Sequence, residues 1–195
     1  MTVVDRLLVG FVTGTTPDKW ARSWREQDRG PLTVVPLTEE QQEDAVRRGE
    51  VDMALVRLPV TTDDLHVVRL YDETPVVVAS RDHFVAAADT VTLDDLVDEQ
   101  LVRPHASGWQ PAAPQLAWPS MTEEEAIATV AAGTGVVIVP MSVARLHHRK
   151  DVVQREVTDV PPTTVALVWL RERDDDLTQA FVGVVRGRTG RSSRG

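Results

Sequence analysis

Four short stretches hold the residues whose types and spacing could do chemistry. Thr13-Gly14-Thr15-Thr16 sets three hydroxyls ahead of Pro17-Asp18. The pattern reads as a helix start, with Thr16 as N-cap, Pro17 at the first helical position and Asp18 near the positive end of the dipole. Hydroxyls and first-turn amides gathered there favour a carboxylate or another anion. Thr38 opens Thr38-Glu39-Glu40-Gln41, which has capping-box spacing. Arg57 stands near the end of the apolar run Val51–Leu58, which Pro59 closes, and its guanidinium is a bidentate donor for an oxyanion. Each also has a plain structural reading: Thr16 and Thr38 as helix caps, Arg57 as the partner of a surface carboxylate.

The fourth stretch is the loop Pro104–Pro114, with Ser107, Gly108 and Trp109. Trp109 is suited to stacking on a planar ligand. His105-Ala106-Ser107 brings a histidine near a serine, yet with no evident acid to orient the ring, so a hydrolytic triad is not expected. His147 and His148 are adjacent and point in different directions on a helix, unlike an i, i+4 metal pair. Glu123-Glu124-Glu125 is a solvated helix start. No HExxH, GxSxG, P-loop or GxGxxG occurs, and there is no cysteine. No catalytic residue, metal or cofactor is expected, and the reading is of a binding module rather than an enzyme.

Apolar runs alternate with helical patterns to position these stretches. Leu7–Val12, Leu32–Leu37 and Val51–Leu58 read as strands with helices between them, one bearing Trp20 and Trp24 on one face. Strand–helix alternation implies a parallel sheet. Further along, Val67–Leu70, Pro75–Ala79, Gln100–Arg103, Gly135–Pro140, Val152–Val157 and Val165–Leu170 read as strands. Helices are expected at Thr92–Leu96, from the Thr122 capping box to Gly133, at Ser142–His148 and over roughly Asp174–Val185. Trp118 and Trp169 sit in strand-like contexts and read as core. A helix–Gly–strand–Pro pattern at Gly49–Pro59 and again at Gly133–Pro140 suggests two similar sheets.

The 195 residues carry a formal charge of −9; four arginines and no acid follow Leu177, leaving −13 on the rest. That balance disfavours direct nucleic-acid binding. No apolar run reaches the roughly 18 residues of a membrane helix, and the N-terminus lacks a signal-peptide pattern, so a cytoplasmic location is expected. The Gly- and Ser-containing tail Gly187–Gly195 reads as disordered.

Val9-Gly10-Phe11-Val12, Val34-Val35-Pro36-Leu37-Thr38, Gly49-Glu50-Val51-Asp52-Met53-Ala54-Leu55, Leu70-Tyr71-Asp72-Glu73, Arg81–Ala86 and Val130–Pro140 together resemble the effector-binding domain of LysR-type transcriptional regulators, over about Arg6 to Arg188. The resemblance implies an α/β, two-lobed, type 2 periplasmic-binding-protein-like fold. Lobe I would be 1–74 and 164–188, lobe II 75–163, with crossovers near Glu73-Thr74-Pro75 and Pro162-Thr163-Thr164 and a disordered tail at 189–195. It also implies a small organic anion effector in the inter-lobe cleft, contacted by Thr13, Gly14, Thr15, Thr16, Thr38, Arg57, Pro59, Pro104, Ser107 and Trp109. Gly14 stands where family members often carry serine, so Thr13 or Thr15 substitutes or the contact is made by backbone. The family further implies a homodimer through the Trp20/Trp24 helix. Family members begin with a winged helix-turn-helix and linker helix; this chain opens in the first strand, as a stand-alone or shortened domain that would not bind DNA alone. The alternatives are a cofactor-free lyase on the same fold and a vestigial protein-interaction domain.

Overall fold

Alternation of side chains explains the first strand: in β1 (Leu7–Val12), Leu7 and Val9 enter one core cluster while Leu8 packs against another. Residues 6–187 are described by the structure, a computed structural model. The remaining elements are α1 (Asp18–Glu26), β2 (Leu32–Leu37), α2 (Gln42–Arg47), β3 (Met53–Arg57), β4 (Leu65–Glu73) and β5 (Pro75–Ser80). They continue with β6 (Thr90–Val91), α3 (Glu123–Ala131), β7 (Val136–Pro140), α4 (Met141–Leu146), β8 (Val152–Val157), β9 (Thr163–Leu170) and α5 (Asp176–Val185). The chain divides into two compact units: residues to Tyr71 together with those from Thr164, and Asp72–Thr163.

The first unit is built on a five-stranded sheet in the order β2-β1-β3-β9-β4. Strand β1 runs parallel to both β2 and β3, as strand–helix alternation requires, and β9 returns antiparallel to β3. Both faces are covered. Met53, Leu55, Leu167 and Trp169 join Trp20 and Trp24 of α1 and Phe181 of α5. Ala54, Val56, Ala166 and Val168 point the other way, to Ala45 and Val46 of α2. The Trp24 ring lies 5.7 Å from that of Phe181, and its indole N–H donates to the Gly30 carbonyl at 2.9 Å. Trp20 and Trp24 are therefore core residues, 6% and 0% exposed. This weakens a dimer contact made by those rings.

The second unit carries a four-stranded sheet in the order β6-β8-β5-β7, with β5 antiparallel to β7 and β8, and β6 parallel to β8. Val76, Val78, Val137 and Val139 pack against Ile127 and Val130 of α3 and Val143 of α4. Val77, Ala79, Val136 and Ile138 face Val85, Leu96 and Val157. Helix α3 starts in the expected capping box: the Glu125 N–H donates to Thr122 Oγ1 at 3.2 Å, and the Glu125 carboxylate accepts from the Thr122 N–H at 2.8 Å.

Several expectations shift. Helix α1 starts one residue late, capped by the Pro17 carbonyl, which accepts from the amides of Trp20 and Ala21, and not by the Thr16 side chain. Helix α2 starts at Gln42, because Thr38–Gln41 closes as a turn first; only half of the box forms, with Gln41 Oε1 accepting from the Thr38 N–H. Gln100–Arg103 is not a strand: a single bridge joins Leu101 to Val136. Trp118 lies in irregular chain, half-buried against the α3 and α4 cluster, where proline and polar neighbours break any ladder. The expected tail 189–195 and residues 1–5 lie outside the described residues.

Candidate ligand-binding site

In an open parallel sheet, loops and helix starts converge at the carboxyl ends of the strands. The first unit places Thr13–Thr16 after β1, Thr38 after β2 and Arg57 at the end of β3. Gly14 takes φ 86°, a left-handed conformation that lets the chain turn tightly out of β1. Thr15 is 4% exposed; its hydroxyl donates to the Val12 carbonyl at 2.7 Å and so serves the turn. Thr16 is exposed and Thr13 half-buried. Pro17 has no N–H and its carbonyl serves Trp20 and Ala21, so the amides of Asp18 and Lys19 are the first-turn donors with no intrahelical acceptor.

Arg57 is only 4% exposed, and its guanidinium bridges two neighbouring loops. Nη2 donates to the Thr13 carbonyl at 2.7 Å and Nη1 to Glu39 Oε1 at 3.0 Å. The structural reading of Arg57 thus holds, since the group clamps the β1 and β2 loops together. Gln42 fixes the backbone beneath it, donating from Nε2 to the Arg57 carbonyl at 3.0 Å and accepting at Oε1 from the Arg57 N–H at 2.9 Å. Sequence reasoning missed both Glu39 and Gln42. A signal for Gln42 exists: it shares the i, i+3, i+4 face of α2 with Ala45 and Val46, so a polar group was bound for the interior. Pro59 is exposed and follows a cis Leu58–Pro59 bond.

The remaining expected contacts belong to the second unit. Pro104 and Ser107 are exposed, and Trp109 is half-buried against the cluster around Leu96 and Val136. His105 and Ser107 form a local knot: Nδ1 lies 2.8 Å from Ser107 Oγ and accepts from the Ser107 N–H at 3.2 Å. The Trp109 N–H in turn donates to Ser107 Oγ at 3.3 Å. With Nδ1 accepting, the hydroxyl proton turns toward the ring, and the serine stabilises its own turn. Among the described residues no three His, Asp or Glu side chains gather as a metal-ligand set, and no helix is long and apolar enough to cross a membrane.

Comparison with known proteins agrees with this architecture. The transcriptional activator HcaR of the hca operon in Escherichia coli is 25% identical over 170 residues, covering 80% of this chain; the chain spans 57% of that protein's length. The BenM effector binding domain with its effector benzoate superposes with a TM-score of 0.74 at 18% identity, over 94% of each chain. The regulatory domain of OxyR from Pseudomonas aeruginosa, as a C199D mutant, superposes with a TM-score of 0.73 at 23% identity, over 95% of this chain and 97% of that one. The fold is accordingly that of the two-lobed, periplasmic-binding-protein-like effector domains. The profile of the LysR substrate binding domain matches residues 27–190. The chain belongs to the LysR substrate binding domain family.

Proposed function

We propose that this chain is the ligand-sensing domain of a LysR-type transcriptional regulator, binding a small organic anion and catalysing no reaction. The observation that carries the reading is the start of α1. No side chain caps it, and its free first-turn amides follow a hydroxyl-rich loop at the carboxyl end of β1. Such a terminus attracts a carboxylate through both hydrogen bonds and the dipole. The anion's charged group would lie at Thr13–Thr16, with Thr38 on the neighbouring loop and Arg57 keeping the two loops in register. On the second unit, Pro104, Ser107 and Trp109 form a further proposed ligand-contacting surface. In the full regulator, ligand binding would bias one of two conformations and so change how DNA is held. A homodimer in the cytoplasm completes the proposal.

The test is a thermal-shift screen against carboxylated metabolites and aromatic acids, with benzoate first because the BenM domain carries it. A saturable rise in melting temperature for one acid supports the reading, since ligands of the native state stabilise by mass action. The amides of Gly14, Thr16, Asp18 and Lys19 should shift in a 1H–15N titration with the same acid. A saturable rise with those four amides unmoved overturns the site; no rise with any acid overturns the function.

A further inference from the structure

An open cavity of about 500 Å3 lies on the first unit, alongside the sheet-edge strand β4, and its lining includes none of Thr13–Thr16. Its volume falls within the roughly 300–1,000 Å3 typical of small-molecule sites. Leu58, Leu65 and Val67 give it an apolar floor, and Arg69, Arg171 and His66 stand around it. Among the described residues no carboxylate lines it, in a chain of net charge −9. The adjoining cavity of about 370 Å3 shares Arg171 with it but differs in its other charges, since Asp64 and Glu172 line it beside Arg47.

Among the described residues neither guanidinium makes an ion pair. Arg69 donates from Nη2 to Thr164 Oγ1 at 3.0 Å, and that threonine is only 8% exposed, so the arginine is anchored by a neutral group. Arg171 donates from Nε to the Leu65 carbonyl at 3.2 Å, again a neutral acceptor. It lies near enough to Asp64 to help lower that carboxyl's pKa after the larger effect of Arg47, yet makes no ion pair with it. Asp64 is instead bound to Arg47, at 3.0 Å. Two guanidiniums with neutral anchors, lining one cavity with Leu58, Leu65 and Val67, match a carboxylate carried on an apolar body.

We propose that this cavity is a second ligand site, taking an organic acid through Arg69 and Arg171 with its apolar part against Leu58, Leu65 and Val67. It is independent of the site proposed at the start of α1. Arg69 belongs to β4 and Arg171 follows β9, the two strands through which the chain passes between its two units.

The test is a 1H–15N titration of the chain with benzoate, with benzamide as its neutral isostere and inorganic phosphate as charge without an apolar body. Benzoate is expected to shift the amides of Val67, Arg69 and Arg171 saturably, and benzamide to leave them in place. Arg69→Gln and Arg171→Gln should each weaken that binding about tenfold, the worth of one charge-assisted hydrogen bond. Arg69→Gln changes an exposed side chain and gives up one hydrogen bond to Thr164, so a folded spectrum is expected from it. Failure of these three amides to move overturns the proposal, as does an equal response to benzamide or to phosphate. The amides of Thr16, Asp18 and Lys19 report the other site in the same spectra, so either site can fail while the other stands.

Discussion

Replacing Gln42 with leucine tests whether a buried amide sets the end of β3. Gln42 is 8% exposed and joins α2 to Arg57 through two hydrogen bonds of 3.0 and 2.9 Å. Leucine keeps the length and the burial but removes both bonds. The two bonds together are worth about 2 kcal/mol net, and leaving buried backbone groups without a partner adds up to about 1 kcal/mol, for about 2–3 kcal/mol in total. For a chain this long that is a fall in Tm of about 5–10 °C. Because the chain forms two units, a single melting curve is an incomplete readout. Native-state hydrogen exchange is better, with β3 amides expected to exchange about 30- to 150-fold faster. Gln41→Ala is the contrast, since Gln41 is exposed and holds only the Thr38 N–H. Equal losses for the two variants, or a loss under about 0.5 kcal/mol for Gln42→Leu, would refute the reasoning.

Other substitutions probe other links. Thr16→Ala should weaken binding of the anion while leaving the urea midpoint in place, whereas Thr15→Val should cost about 1 kcal/mol of stability because its hydroxyl bonds the Val12 carbonyl. Thr122→Ala should cost about 1 kcal/mol by uncapping α3, read from the exchange of the helix's first-turn amides. Gly135→Ala should cost about 3 kcal/mol in urea unfolding: the residue sits at φ 146°, and a Cβ would strike the Gln100 carbonyl oxygen. Acid should loosen the loop after β3. Burial raises the Glu43 pKa, but hydrogen bonds from Arg47 and Thr61 outweigh it and hold the carboxyl below its ordinary 4.5; the Arg47 hydrogen bond holds Asp64 below 3.8. Both folded values lie below the unfolded ones, so this stability is present above the ordinary values and lost as pH falls through them. The urea midpoint should therefore drop as pH falls below about 5 and on through the lowered folded values, and drop less in Arg47→Met.

Most elements were legible because burial imposes a period. Val76–Ala79 and Val136–Val139 are apolar on both faces, as a strand covered twice must be, and both are strands. The box at Thr122 formed because Glu125 is three residues on and can reach back. The similar spacing at Thr38 produced a turn instead, since the burial of Gln42, Ala45 and Val46 fixes where α2 can begin. Local propensity proposed the boundary and tertiary packing moved it.

The candidate site was legible in position more than in role. Thr13–Thr16 and Arg57 fall at strand ends, which a sequence reveals, but which hydroxyl or guanidinium faces outward depends on contacts many residues away. Arg57 meets a carbonyl 44 residues earlier and a carboxylate 18 residues earlier, neither of which has a local signature. Its burial alters what its removal would mean. Arg57→Ala would leave the Glu39 carboxylate and the Thr13 carbonyl without that donor and release two loops at once, so a loss of ligand binding would follow even from an arginine that never touches ligand. Arg57→Lys separates the two roles, because a lysine retains the charge but cannot bridge both loops with a planar fork. If binding falls in Arg57→Lys while inorganic phosphate still shifts the Thr16 amide, the arginine acts by holding the loops. If phosphate is lost as well, although lysine retains the charge, the guanidinium's own hydrogen bonds belong to the site.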